Sequence, residues 1–383
     1  MPFNGERLRT ARIFRNMTIS ELADKADVTK QAISQYENNQ SNPKPDTLYQ
    51  FVWILGFPKE FFMEEDAYAV NISNTFFRAL STTKNLDLKT QEVKTEMIVR
   101  IYNFLGRYLD FPELDIPEVD MSKFDDLENI ASYVRSYWGL GDYPIENMVS
   151  LLEKKGIIVS AFTTENRKID AFTQIHELGQ KKQFCVVLGN DKQSMVRRNF
   201  DAAHEQGHIL LHSKLERIEE ISKEEFRQIE DEANNFAAAF LLPKNSFFLD
   251  LKEANNLDSY VKLKKKWKVS IAAMVMRSRQ LGRINNNQYQ YLMKQISIRK
   301  WRIGEPFDDV WELQRPVLFK KSIQVLKENK ILSGQQLIFE LSKNGLSLNA
   351  KMVEELLDID KGTLEEGNEQ DSAIVLSLKR DKR

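Results

Sequence analysis

Apolar residues recur at helical spacing through most of this chain and give way only in the middle to short β-rich runs. Leu8, Ala11, Ile13 and Phe14 mark an apolar stripe on a first helix, and Thr18 caps a second whose Leu22, Ala23 and Ala26 face inward. Asp27 and Val28 turn the chain. Thr29 then caps a third helix, KQAISQYENN, in which Ala32, Ile33 and Tyr36 pack while Lys30, Gln31, Ser34, Gln35 and Asn38 stay outside. The pattern predicts a helix-turn-helix, and its outward Lys and Gln side chains suit phosphates and base edges in a major groove. Pro58 and a short FFM end this bundle, read as five helices over residues 1–62.

Residues 63–124 read as a helical linker. Their main element is an amphipathic helix over 88–108 with Val93, Met97, Ile98, Ile101, Phe104 and Leu105 on its apolar side; DFPELDIPEVD follows, a connector by its prolines and acids. From residue 125 the pattern is mixed. Helices near 127–137 and 145–155 precede GIIVSAF, KIDAFTQI and KQFCVVLGN, three β-rich runs bounded by glycine or polar residues. Residues 183–188 are the expected edge strand, of the kind that pairs with an extended peptide through main-chain hydrogen bonds. His176 is placed on a surface turn between strands. Helical patterning then continues, giving a mixed domain over 125–284 and a helical region over 285–383 with a low-information tail. The expected fold class is α+β, mostly helical with a small sheet. In SYVKLKKKWKVSIAAMVMRSRQLGRI a basic helix precedes one capped by Ser270, by shape a second DNA reader, although a lysine run is more often a solvated face.

Composition narrows the function classes. At 383 residues the chain has room for two or three domains, each with its own core. A net charge of −1 excludes a whole-chain field toward nucleic acid or membrane, so any DNA contact is local. Residues 1–62 hold eight Lys/Arg against seven Asp/Glu, and so weak a balance favours dimeric binding. The single Cys185 excludes a disulfide framework and a multi-cysteine metal site and fits a reduced cytosol. MPFNGERLRTARIF has no apolar signal core and no apolar run approaches about 20 residues, so a cytoplasmic chain without a membrane span is expected.

The chemistry concentrates in RRNFDAAHEQGHILLH. His204 and His208 stand about one helical turn apart, so both imidazoles leave one face and reach a single ion, while Glu205 reaches a water on it. Zinc lowers the pKa of such a water toward about 7, and a carboxylate beside it can take the proton and pass it to a leaving amine. A catalytic zinc needs a third protein ligand, and IEDEANNFAAAFLLP offers Glu230, with Glu232 as the rival on a different side of the helix. Small alanines there let the two helices approach. His212 stands about 12 Å from His204 along a straight helix, too far for one ion. It reads as a group behind the ligands, a hydrogen-bond donor to the transition state, or a structural residue. Zinc suits this donor set best, with manganese or iron less selective fits.

AAHEQGHILLH followed by EDEANNFAAAFLLP resembles the ImmA/IrrE family of metallopeptidases, whose pattern is AHELGH, a further histidine, then ExxA(D/N)xFAxxLLxP. Gln206 stands where an apolar residue is common and is expected to face away from the ion. Asn234 stands where aspartate is frequent, which weakens a contact to a ligating histidine. The resemblance extends through VSIAAMVMRSRQLGRI, KWRIGEP and LQRP. Residues 4–62 resemble the XRE family of phage-repressor-like domains, with NNQ after Glu37 where a glycine is common. Carried over, that resemblance implies base contacts from Lys30, Gln31, Ser34 and Gln35 and phosphate contacts from Arg7, Arg9 and Arg12.

Together the resemblances imply a transcription regulator on a double-stranded DNA operator, expected from its weak charge balance to be a homodimer, fused to a gluzincin-like zinc endopeptidase. His204, His208 and Glu230 would hold Zn2+, Glu205 would activate water, and the substrate would be a repressor protein or the chain itself. The alternative is a repressor whose zinc domain is a non-proteolytic sensor or partner-binding module, as in a toxin–antitoxin or phage-defence operon; a latent peptidase is also open. The glutamate of HExxH favours hydrolysis, since a structural zinc needs no general base and usually has four protein ligands.

Overall fold

Side-chain caps set where the first helices begin. Asn4 accepts from the Glu6 amide at the head of α1 (Gly5–Phe14), and Thr18 and Glu21 form a reciprocal capping box on α2 (Ile19–Lys25). Thr29 accepts from the Ala32 amide to start α3 (Lys30–Glu37), and Pro45 opens α4 (Pro45–Leu55) with a φ already suited to a helix. Leu8, Ala11, Leu22, Ile33, Phe51 and Leu55 are fully buried between these helices, and a 3-10 turn over Lys59–Met63 adds Phe61 and Phe62. That turn stands where a fifth helix was expected. Gly5 lets α1 meet the end of α3, since a Cβ there would lie 2.0 Å from the Tyr36 carbonyl oxygen.

The computed structural model describes residues 2–65, 71–77, 85–162, 171–178, 181–190, 194–215 and 221–365. These fall into two compact units, one drawn from Met1–Tyr68, Asn103–Leu109 and Phe319–Arg383, the other from Ala69–Tyr102 and Asp110–Leu318.

The second unit starts with β1 (Asn71–Phe77) and most of α5 (Asn85–Leu105), then α6 (Leu127–Tyr137), α7 (Met148–Lys154), β2 (Ile158–Phe162), β3 (Ala171–Leu178) and β4 (Lys181–Gly189). The stretch read as a linker therefore carries a strand. The sheet order is β1-β3-β4-β2, with β3 antiparallel to both neighbours and β2 parallel to β4. Residues 183–188 are thus internal, flanked by β3 and β2, and not the edge expected. Their physical signature was legible: Phe184 to Leu188 are buried in succession, as in a strand covered on both faces. His176 is likewise no surface residue. It lies within β3, fully buried, and neither ring nitrogen has a hydrogen-bond partner among the described residues.

One sheet face packs Val159, Ala161, Ala171, Ile175, Phe184 and Val186 into the main core with Ala202 and Ala203 of α8 (Met195–Gly207). On the other, Gln174 accepts from the Thr95 hydroxyl of α5. A turn of π-helix over His208–His212 follows α8, then α9 (Lys223–Leu241), α10 (Lys244–Asp250), α11 (Leu257–Trp267), α12 (Ile271–Gln280) and α13 (Asn286–Ile298). α8 and α9 meet at Gly207, where a Cβ would stand 3.2 Å from the Ala233 Cα. Lys264 in the basic run is buried rather than solvated. Its ammonium pairs with Glu305 at 2.9 Å and Asp308 at 2.6 Å, and Glu305 also accepts from the Ile271 and Ala272 amides at the head of α12.

The region expected as one piece over 285–383 is divided between the units. α14 (Leu318–Glu328), α15 (Gly334–Lys343) and α16 (Ala350–Leu357) belong, from Phe319 on, with the N-terminal bundle. Asn349 caps α16 through its oxygen while its amide donates to the Gly56 carbonyl at 2.8 Å, and Glu64 accepts from the Ser347 amide at 2.8 Å. The tail beyond 365 lies outside the described residues. Among those residues no helix is long and apolar enough to cross a membrane.

Candidate functional site

α8 carries His204 and Glu205, and its π-helical continuation carries His208; each is 1% exposed. The two histidine Nε2 atoms stand 3.0 Å apart. From α9, Glu230 brings Oε1 to 3.3 Å from His208 Nε2 and Oε2 to 3.5 Å from His204 Nε2. These three residues each offer a donor atom within 4.8 Å of the others. The spacing suits a small ion: donors about 2.05 Å from a tetrahedral centre stand about 3.3 Å from one another. Two imidazole nitrogens and one carboxylate oxygen, with no fourth protein donor among the described residues, are the composition of an open zinc site.

Groups behind these donors fix which nitrogen carries each proton. His204 Nδ1 donates to Asn234 Oδ1 at 3.1 Å, leaving the Nε2 lone pair toward Glu230. Glu232 does not join the cluster. Its Oε2 accepts from His212 Nε2 at 3.0 Å, and its Oε1 accepts from the Gln228 amide at 2.8 Å. Protonated at Nε2, a neutral His212 holds a lone pair at Nδ1, which accepts from His208 Nδ1 at 3.1 Å. Burial, then the neighbouring His208, pushes the His212 imidazole down to about 4, so it is neutral near pH 7. Both front nitrogens thus present lone pairs.

Glu205 accepts from the Thr173 hydroxyl of β3 at 2.6 Å through Oε2. No sequence signal pointed to Thr173, because nothing local links a threonine in a strand to a glutamate in a later helix. Gln206 is fully buried, and both its amide atoms lack a hydrogen-bond partner among the described residues.

In the N-terminal bundle, Lys30 and Gln31 are exposed on α3, and Ser34 and Gln35 are half-buried. Arg7 and Arg12, expected on phosphates, are buried instead. Arg12 forks onto Glu37 at 2.5 and 2.9 Å and donates to the Met17 carbonyl, and Arg7 lies over the Phe61 ring with a bond to the Glu65 carbonyl. Arg9 is held by Glu6, Glu37 and Asn38. The buried Glu37 carboxylate, which needs cations around it, draws Arg9 and Arg12 inward. Asn39 takes the position where the family uses glycine, with φ +54°, a left-handed conformation that asparagine tolerates best after glycine.

The model of a helix-turn-helix domain matches residues 5–65, and that of an IrrE N-terminal-like domain matches residues 152–279. The chain joins a helix-turn-helix domain to an IrrE N-terminal-like domain. No curated protein matches it. The IrrE N-terminal-like domain is metallopeptidase-like, and it contains the whole cluster of His204, His208, Glu230 and the groups behind it. Asn234 also lines a cleft of about 810 Å³ whose apolar lining includes Phe200, Ala238, Met276, Met293 and Trp301. β1 lies outside both matched stretches.

Proposed function

We propose that this chain is a DNA-binding regulator whose IrrE N-terminal-like domain is a zinc endopeptidase, acting on a repressor protein or on the chain itself. The observation that carries this reading is the convergence of His204 Nε2, His208 Nε2 and the Glu230 carboxylate beside the buried Glu205. His204, His208 and Glu230 would hold Zn2+, which when bound supplies Lewis-acid polarisation of the scissile carbonyl and acidifies a water. Glu205 takes that water's proton and delivers it to the leaving amine. Thr173 fixes the Glu205 carboxylate by holding Oε2, so no rotamer search precedes proton transfer. Asn234 and the Glu232–His212 pair hold both histidine rings aimed toward Glu230. His212 acts from behind the ligands, since its Nε2 is already committed to Glu232.

The helix-turn-helix domain binds a double-stranded operator through Lys30, Gln31, Ser34 and Gln35. Its near-balanced charge favours a homodimer, which doubles a weak contact into a usable one.

The test compares full-length wild type with Glu205→Gln, reading zinc content by mass spectrometry and fragmentation by intact mass, alone, with a DNA duplex and with candidate repressors. One zinc in both proteins, with defined fragments from the wild type only, supports the reading. Zinc in both with every protein left intact removes it and leaves a metal-holding sensor. On the DNA side, Gln31→Ala should relax base preference at one position by about 1–3 kcal/mol, and an unchanged preference would remove Gln31 from the interface.

A further inference from the structure

β3 runs beside the candidate site, since its Thr173 reaches Glu205 at 2.6 Å. One side of β3 pairs with β4; the other pairs with β1. In that antiparallel ladder Phe77 stands opposite Phe172, Phe76 opposite Thr173, Thr75 opposite Gln174 and Asn74 opposite Ile175. Paired strands lie about 4.8 Å apart, so the backbone of residues 74–77 occupies the place an extended peptide would take on adding itself to β3. β1 therefore covers the sheet edge next to the catalytic carboxylate. It comes from outside the IrrE N-terminal-like domain, which matches from residue 152, and outside the helix-turn-helix domain, which ends at 65. Its register also slips between Ile72 and Asn74, which interrupts the ladder at one end.

We propose that the β3 edge is a peptide-binding site and that Asn71–Phe77 fills it in cis, as a tethered competitor that an extended segment of a protein substrate must displace. The role of the site rests on the peptidase reading. Main-chain hydrogen bonds supply most of the affinity in strand addition, so a substrate needs an unfolded or extended stretch more than a strict sequence. Tethering gives β1 an effective concentration on the order of millimolar, so a free peptide of equal intrinsic affinity competes poorly until β1 is weakened.

The experiment uses the full chain stripped of metal by a chelator, so that binding is read without cleavage. The probe is the labelled peptide NISNTFF, followed by fluorescence anisotropy. Thr75→Pro/Phe76→Pro removes two successive N–H donors, and because donors alternate in direction along a strand, one of them faces β3. The double variant should bind the peptide at least tenfold more tightly than the wild type. Equal affinity, or no binding by a variant that keeps the wild-type unfolding temperature, overturns the proposal. Hydrogen exchange on the unmutated chain decides independently. Saturating peptide should raise deuterium uptake across residues 71–77 and leave β4 unchanged, and unaltered uptake across 71–77 overturns it. If the peptide displaces β1 and the zinc-loaded variant cuts nothing, the edge assignment stands and the peptidase reading falls.

Discussion

Replacing Glu232 with alanine should weaken zinc binding by about 10- to 100-fold without abolishing it. Glu232 is not among the converging donors; it accepts from His212 Nε2 at 3.0 Å, and His212 Nδ1 in turn faces His208 Nδ1 at 3.1 Å. Without the carboxylate, the His212 proton is free to move to Nδ1, where it would confront the Nδ1–H of His208 donor to donor. His208 must then lose that bond or change tautomer, and the second outcome removes the Nε2 lone pair from the ion. A charge-assisted hydrogen bond is worth about 1.5–3 kcal/mol, which corresponds to roughly 10- to 150-fold in affinity. Glu230→Ala removes a direct donor and should cost considerably more. Zinc affinity is measured by competition with a chromophoric chelator at neutral pH. His212→Ala should match Glu232→Ala, and the double variant should be no worse than either, because the two residues act as one chain. If Glu232→Ala empties the site as fully as Glu230→Ala, Glu232 is itself a ligand; if it changes nothing, the chain behind His208 is passive.

Further expectations follow from other buried groups. Gln206→Leu should stabilise the second unit by about 1–3 kcal/mol and raise its thermal midpoint, because a buried amide without partners among the described residues gives way to a side chain of similar size; destabilisation would show that the amide is satisfied. Asn234→Asp should tighten zinc several-fold in the same chelator assay, since a carboxylate raises the basicity of His204 more than an amide does; weaker binding would point to repulsion from Glu205 and Glu230. Burial pushes His176 down to about 4, below the unfolded value of about 6.5, so the unfolded chain alone takes up a proton in that window and stability falls as pH falls through it. Between pH 7 and about 5 the wild type should lose about 2 kcal/mol more than His176→Gln in denaturant titrations, since the similarly depressed His212 acts in both proteins; equal losses would assign the acid sensitivity elsewhere. Arg12→Ala leaves the buried Glu37 with only the longer Arg9 contact at 3.4 Å and should cost the N-terminal bundle up to about 3–5 kcal/mol; a change below about 1 kcal/mol would show the pair to be dispensable.

What could be read from the residues was whatever depends on neighbours a few positions away. Thr18 with Glu21, Thr29 and Ser270 announce helix starts because each bonds within its own first turn. His204 and His208 announce a shared face for the same reason. The misplacements all involve partners distant in sequence. Arg12 looks solvent-facing until Glu37 folds beneath it, and Lys264 looks solvated until Glu305 and Asp308 arrive. β1 was hidden twice over, as a short run in polar surroundings whose partner strand lies far along the chain, and its pairing is what leaves β3 internal, while the parallel β2 leaves β4 internal on the other side. His176 was set on the surface by a polar side chain, although the strand around it is buried.

The two histidines facing Glu230 differ in what stands behind them. His204 leans on the neutral Asn234, whereas His208 leans through His212 on the charged Glu232. A carboxylate placed directly behind His204 would put a third acid near Glu205 and Glu230, where like charges raise one another's pKa. Moving the second carboxylate one imidazole farther from the ion preserves the orienting hydrogen bond and dilutes that repulsion with distance. The π-helical turn over His208–His212 belongs to the same solution. Its wider winding sets the His212 ring 5.2 Å from the His208 ring, with Nδ1 facing Nδ1, so a residue excluded from the ion by its position along the helix still governs the ligand before it.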